Sequence, residues 1–232
     1  MPFQPVESQR LYERVAHQIG DLIRAGEFAP GDRLPAERDL AKSLGVSRPV
    51  VREAMIALEV TGLVEVRTGS GAYVRGKPPT PGAPINAVVS PSDILNARSL
   101  IEGETAALAA ERASDIDIDV IAAQIVIMER EHHAGRPWHI ADLDFHTAIA
   151  RATGNAALAG VVERLWQTQH GAMFALLSER VNLTENWPAT LNGHLAILAA
   201  IRARDGEAAK AAMRAHLEQV LEVMIGEGEN PG

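Results

Sequence analysis

Four prolines fall within nine residues, Gly76-Lys77-Pro78-Pro79-Thr80-Pro81-Gly82-Ala83-Pro84. Each fixes φ and lacks an N–H, so the stretch can be neither a helix nor a central strand. It reads as a semi-rigid linker, 76–91, that obliges the 232-residue chain to fold in two parts, 1–75 and 92–226, before a Gly, Glu, Asn and Pro tail at 227–232 expected to be frayed. Charge divides at the same place. Residues 1–77 hold 11 Lys+Arg and 10 Asp+Glu, a net +1; the remainder holds 11 and 20, a net −9. The formal −8 of the whole chain therefore belongs to the second part and is no argument against nucleic acid for the first. No cysteine is present, which excludes disulfides, thiolate metal sites and cysteine nucleophiles. No apolar run reaches 18 residues, so no membrane span is expected. Met1–Glu13 lacks a basic stretch followed by an apolar one, so a secretory signal is not expected either. These features lead to the expectation of a cytoplasmic protein.

In the first part, Leu11, Val15, Ile19, Leu22 and Ile23 recur at helical spacing, which predicts an amphipathic helix over about 8–25. Phe28-Ala29-Pro30-Gly31-Asp32 predicts a turn, and a short helix follows near Ala36–Leu44 with Leu40, Ala41 and Leu44 inward. After Gly45-Val46-Ser47, Ser47 is placed to cap a helix that tolerates Pro49 in its first turn and stops at Gly62. Leu63–Arg67 and Ala72–Arg75 flank Thr68-Gly69-Ser70-Gly71 as a hairpin. Helix, short helix, turn, helix and hairpin make a winged helix-turn-helix, whose second paired helix presents its N-terminal residues to base edges. Here those residues are Ser47, Arg48, Pro49, Val50 and Arg52. Arg48 and Arg52 share one face, an arginine can bridge guanine O6 and N7, and Ser47 beside unpaired N–H groups suits a phosphate. Taken alone, two arginines and a serine could equally decorate a solvated helix.

The motif context argues otherwise. Leu34-Pro35-Ala36-Glu37-Arg38-Asp39-Leu40-Ala41, Leu44-Gly45-Val46-Ser47-Arg48, Val51-Arg52-Glu53-Ala54 with Leu58, and Gly62-Leu63 closely resemble the DNA-binding domain of GntR-type bacterial regulators. The resemblance implies that Arg38, Arg48 and Arg52 contact a double-stranded operator, with Ser47, Pro49, Val50 and the wing residue Gly69 nearby. Pro49 and Val50 stand where some relatives carry hydroxyl residues and can offer only apolar contact.

From Asp93 onward the pattern predicts helices at about 92–112, 117–134, 138–152, 155–178, 188–204 and 207–225, an Ala-rich antiparallel bundle. The expected fold is thus mainly α: a winged helix-turn-helix joined to an all-α bundle. Within the bundle, Asp142 and His146 share one helix face, and His194 and His216 lie among apolar residues on two other helices. One carboxylate and three imidazoles could converge on a divalent metal, with zinc, nickel or manganese suited to the donors. Each histidine alone could be an ordinary core residue, and Asp144, His132, His133, His139 and His170 are rival ligands on spacing grounds.

Ala97-Arg98-Ser99-Leu100-Ile101-Glu102, Asp142-x-x-Phe145-His146, Thr153-Gly154-Asn155, His194-x-x-Ile197-Leu198 and the run to His216-Leu217 resemble the FCD effector domain of the FadR subfamily. That resemblance implies a metal on Asp142, His146, His194 and His216, with zinc the first choice and nickel or manganese the alternatives, and an effector carboxylate forked by Arg98. Asn155 matches a Gly-Asn step that serves the effector site or caps the next helix. Leu165-Trp166-Gln167 through Met173, with Asn186-Trp187, is similar to hexuronate regulators within the subfamily; it implies that Trp166 and Trp187 stack on a sugar and Gln167 bonds a hydroxyl, against the simpler alternative of core packing. The resulting expectation is a homodimeric repressor of sugar-acid or organic-acid catabolism, nucleoid-associated on its pseudo-palindromic operator and released by a small carboxylate, a uronate or another sugar acid. An Asp/His₃ metalloenzyme, a metal-free acyl-binding regulator and a metal sensor remain the alternatives at this point.

Overall fold

In the computed structural model, residues 11–67, 69–75, 89–169 and 186–226 are described. The Pro-rich stretch at 76–88, the tail, His170 and Met173 lie outside them. The described chain divides into two compact units, parting between Ser90 and Pro91.

The first unit runs α1 (Leu11–Arg24), α2 (Glu37–Leu44), α3 (Arg48–Val60), β1 (Val64–Arg67) and β2 (Gly71–Val74). The stripe that α1 buries is Tyr12, Val15, Ala16 and Ile19. Leu11 and Leu22, expected inside, lie at its edge, 48% and 40% exposed. The stripe meets Ala41 of α2 and Val51, Ala54, Met55 and Leu58 of α3 in a single core. Full burial of a side chain such as Leu58 stabilises by about 1.5–3 kcal/mol.

The end of α3 shows why Gly62 stops it. Gly62 takes φ +76°, its N–H bonds Glu59 O, and the Leu63 N–H reaches back to Leu58 O, a paired closure that needs a left-handed residue. The start of α3 departs from expectation. Ser47 occupies the cap position with extended backbone, but its side chain makes no capping hydrogen bond. The second helical residue is Pro49, which has no N–H to give, so one of the two usual capping partners is missing.

β1 and β2 pair antiparallel with Val64 opposite Val74 and Arg67 opposite Gly71. The turn before α2 also contributes to this layer: the Leu34 N–H bonds Ala72 O, and Val74 N–H bonds Asp32 O. Glu59 accepts from the Val66 N–H at 3.0 Å and so ties the wing to α3.

In the second unit α4 (Pro91–Arg112), α5 (Asp115–His133), α6 (His139–Ala152), α7 (Ala156–Gln169), α8 (Trp187–Arg202) and α9 (Gly206–Gly226) follow one another. The small residues explain the close packing. Ala106, Ala109 and Ala110 of α4 and Ala209 of α9 are fully buried, and α4 packs along α9. Larger side chains, Ile121, Met128, Phe145, Ile149, Ile197 and Met213, fill the space between helices. Ser114 and Asp117 close a reciprocal cap on α5 at 3.2 and 2.8 Å. Arg204, the one described non-glycine residue with positive φ, pins the α8–α9 turn to Ala113 O and Asp115. No described helix is long and apolar enough to cross a membrane.

Candidate metal centre and nucleic-acid interface

The residues expected at an operator occupy α2, the start of α3 and the hairpin tip. Arg38 is largely exposed, its Nε 3.5 Å from Asp39, and Ser47 and Gly69 are exposed as well. Arg48 opens α3 and is half-buried, as are Pro49 and Val50. Arg52 also has a partner within the fold. Its guanidinium donates to Glu37 Oε2 from Nε at 3.3 Å and Nη2 at 3.1 Å. With the Arg52 side chain only 14% exposed, this pair spans α2 and α3 and works as a strut between the two helices. The reason is geometric: Glu37 starts α2, where an acidic side chain favours the helix dipole and also faces the side of α3 that carries Arg52.

In the helical unit, α6 supplies Asp142 and His146, α8 supplies His194 and α9 supplies His216. One donor atom from each lies within 4.8 Å of the other three, and all three histidines are buried. Asp142 Oδ1 is 2.9 Å from His194 Nε2 and 3.5 Å from His146 Nε2. The His194 and His216 rings are 4.4 Å apart, and Phe145 sets its ring edge-on to both His146 and His194. Of the rival ligands, Asp144, His133 and His139 are exposed, and His132 stacks on Trp187 at 4.3 Å.

Two residues of α4 extend the cluster. Arg98 is 2% exposed and donates from Nε to Glu102 Oε1 at 2.6 Å, with Nη2 at 3.5 Å from Oε2. Glu102 Oε2 is in turn 2.5 Å from His146 Nδ1. That contact is close but poorly aligned, because His146 Nδ1 has no well-formed hydrogen bond. The Trp166 ring lies under the guanidinium at 4.1 Å. A continuous chain therefore runs from Trp166 through Arg98, Glu102, His146 and Asp142 to His194.

Burial by itself would raise the Glu102 carboxyl, but the charges of Arg98 and His146 overcome it and bring its pKa to about 2. Burial also opposes ionisation of Asp142, and hydrogen bonds with His146 and His194 hold it well below the usual carboxylate range. His146 is raised: burial pushes it down, and Glu102 and Asp142 more than compensate. His216 is pushed well down by burial and then by the neighbouring His194 and His146, which keeps this imidazole neutral. The donor set fits a divalent cation on these grounds. It offers an ionised carboxylate and a neutral imidazole, as a ligand must be. It also has buried ring nitrogens, His194 Nδ1 and His216 Nδ1 among them, with no hydrogen-bond partner.

Other expected effector contacts separate. Trp166 is buried with Ala150, Ala159 and Val162, so it belongs to the core and to the site together. Gln167, one residue on, is exposed, because a helix turns about 100° per residue. Its placement does not support a bond to a ligand held near Arg98. Asn155 accepts from the Ala157 and Leu158 N–H groups at 3.0 and 3.4 Å, so its side chain is a cap for α7. Trp187 packs on His132 and Trp138, not within the Asp/His cluster. Sequence reasoning missed Glu102 as a participant, although its position four residues after Arg98 was the available signal. It also missed Gly193, where a β-carbon would lie 2.5 Å from His216 Nδ1.

Residues 11–74 match the bacterial regulatory proteins of the gntR family, and residues 93–219 match the FCD domain. The chain belongs to the gntR family, with an FCD domain. This gntR regulator is 38% identical over 226 residues to the Uxu operon transcriptional regulator of Escherichia coli strain K12, across 94% of its own length and 88% of the relative's. It is 39% identical over 230 residues to the Exu regulon transcriptional regulator of the same strain, covering 95% and 87%. The solved structure of E. coli McbR/YncC shares the fold at a TM-score of 0.52 and 23% identity, covering 94% of this chain and 99% of that one. The gntR regulator is accordingly a DNA-binding transcriptional regulator and not an enzyme.

Proposed function

We propose that this gntR regulator is a homodimeric repressor whose affinity for a pseudo-palindromic operator falls when a hexuronate, or a closely related hydroxylated carboxylic acid, binds a metal in its FCD domain. The observation that carries the reading is the convergence of Asp142, His146, His194 and His216 from three helices on one buried point. The relatives named for the Uxu operon and the Exu regulon support the uronate class, together with the resemblance around Trp166. A divalent ion held by these four residues, zinc by the donor types with nickel or manganese as alternatives, supplies positive charge to an effector carboxylate. Arg98 offers a guanidinium edge to the same carboxylate, and Trp166 and Glu102 hold that guanidinium in place. In the DNA-binding unit Arg48 reads a base edge, while Arg38, Ser47 and the wing tip at Gly69 meet the backbone. Two-fold symmetry of a dimer sets two such helices on two half-sites. The effector acts by binding one arrangement of the dimer better than the other, which lowers operator affinity by the same coupling. The reading places the protein in the cytoplasm, on the nucleoid while it is bound to DNA.

The test is a thermal-shift screen of hexuronates and other sugar acids on the full chain, before and after chelation, with metal content measured alongside. The expected result is a bound metal, a rise in melting temperature with a hexuronate, and loss of that rise after chelation. A chain purified without chelators that carries no metal, or release of operator by metal with no organic acid, would sink the proposal. Truncating Arg98 alone would strand Glu102 as an uncompensated buried carboxylate. Arg98→Met combined with Glu102→Gln removes both charges, and the expected phenotype is normal operator binding that no longer responds to effector.

A further inference from the structure

We infer that Glu102 sets the class of effector: its carboxylate trims the buried charge of the FCD site to what a single carboxylate neutralises, so that a monocarboxylate is accepted and a dicarboxylate refused. The inference rests on the metal-binding reading above and adds the residue that decides charge selectivity.

Glu102 is not a solvated partner of an i,i+4 pair. It and Arg98 are both 2% exposed, and its second oxygen reaches across to His146 on α6. Among the described residues of the helical unit, the buried ionisable side chains are Arg98, Glu102, His146, His194 and His216, with Asp142 half-buried beside them. With the three imidazoles neutral, as metal ligands must be, the guanidinium and the two carboxylates among these residues leave one negative charge. A divalent cation turns that into one positive charge, and one effector carboxylate cancels it. Uncompensated charge in a water-excluded site is costly, so neutrality is a strong selector. A second carboxylate on the effector would bring a negative charge that this count leaves unmatched. Remove the Glu102 charge, and the loaded site instead carries two positive charges, the complement of a dicarboxylate. Gln at position 102 keeps an amide oxygen to accept from Arg98 Nε, and Trp166 stays under the guanidinium, so the change acts on charge more than on the shape of the site.

The test is calorimetric titration of the metal-loaded full chain with gluconate and glucarate, which share a carbon skeleton and differ only in a hydroxymethyl or a carboxylate at C6. Glucuronate and galacturonate serve as further monocarboxylates. The wild type is expected to bind at least one monocarboxylate roughly tenfold or more tightly than glucarate. Glu102→Gln is expected to move that ratio toward glucarate by roughly tenfold or more, and Glu102→Asp, which keeps the charge, to preserve it. The ratio cancels any general loosening of the pocket. Equal or tighter binding of glucarate by the wild type overturns the inference, as does an unchanged ratio in a Glu102→Gln protein that retains its metal. Should Glu102→Gln fail to fold or to hold metal, Glu102→Asp carries the test: loss of the wild-type preference in a metal-loaded Glu102→Asp protein overturns the charge rule. Metal analysis of each sample separates the two levels. A wild type without metal, or one with metal that binds no sugar acid, defeats the functional reading and this inference with it; a metal-loaded wild type that prefers glucarate defeats the charge rule alone.

Discussion

A β-carbon at Gly193 would sit 2.5 Å from His216 Nδ1 and 3.2 Å from its Cγ. The missing side chain is what lets α8 approach α9 closely enough for the His194 and His216 rings to meet. Gly193→Ala is therefore expected to push His216 out of place, with a destabilisation of about 1–3 kcal/mol from overpacking and loss of bound metal, measured by thermal unfolding and metal analysis. The two arginines of α3 separate in the same way. Arg48→Ala is expected to cost about 1–3 kcal/mol of operator affinity and to relax base preference at one position per half-site. Arg52 spends its guanidinium on Glu37, so Arg52→Ala is expected to weaken binding evenly on all operator variants while lowering the stability of the winged unit. Binding measured across a set of single-base operator changes distinguishes the two patterns. Both arginines were visible in the sequence, and nothing there marked one as a strut, because Glu37 lies fifteen residues away and only the fold brings it near.

The elements follow their sequence signals closely, since periodicity and caps are local. The helix expected at 138–152 forms at His139–Ala152, and that expected at 188–204 forms at Trp187–Arg202. The expected helix at 155–178 is described as Ala156–Gln169. Ser114 before α5 is a cap of the reciprocal kind, and Ser114→Ala is expected to cost about 1 kcal/mol, read as a lower melting temperature. Its partner Asp117 is held below the ordinary 3.8 by hydrogen bonds from the Ser114 side chain and backbone. A carboxylate depressed in the folded state adds stability above its unfolded pKa and loses it as pH falls through the folded value. Wild type and Ser114→Ala are thus expected to differ most above pH 4 and to converge in acid, which a melting series against pH would show. Ser47 makes no side-chain cap, and Pro49 removes one of the two N–H groups it would bond.

For the molecule as a whole, two compact units on one chain imply separable responses. Chelation is expected to lower the melting transition of the FCD unit and leave that of the winged unit in place, because a ligand stabilises only the fold that binds it. Two unfolding transitions that shift together on chelation would contradict this. With a net charge of only +1 over residues 1–77, operator binding is expected to lean on a few placed arginines and on dimer symmetry, and non-specific binding to be weak and salt-sensitive, as a titration on unrelated DNA against salt would show. The sequence by itself determined the two-part organisation, the helices, the hairpin and the residue types of the candidate site, because proline content, apolar period and donor chemistry are written locally. Only the tertiary structure decided which histidines meet, that Gln167 faces outward, that Asn155 is spent on a cap, and that Glu102 joins Arg98 to His146. Each of these depends on how helices rotate and approach one another, and that is fixed by packing among residues far apart in the chain.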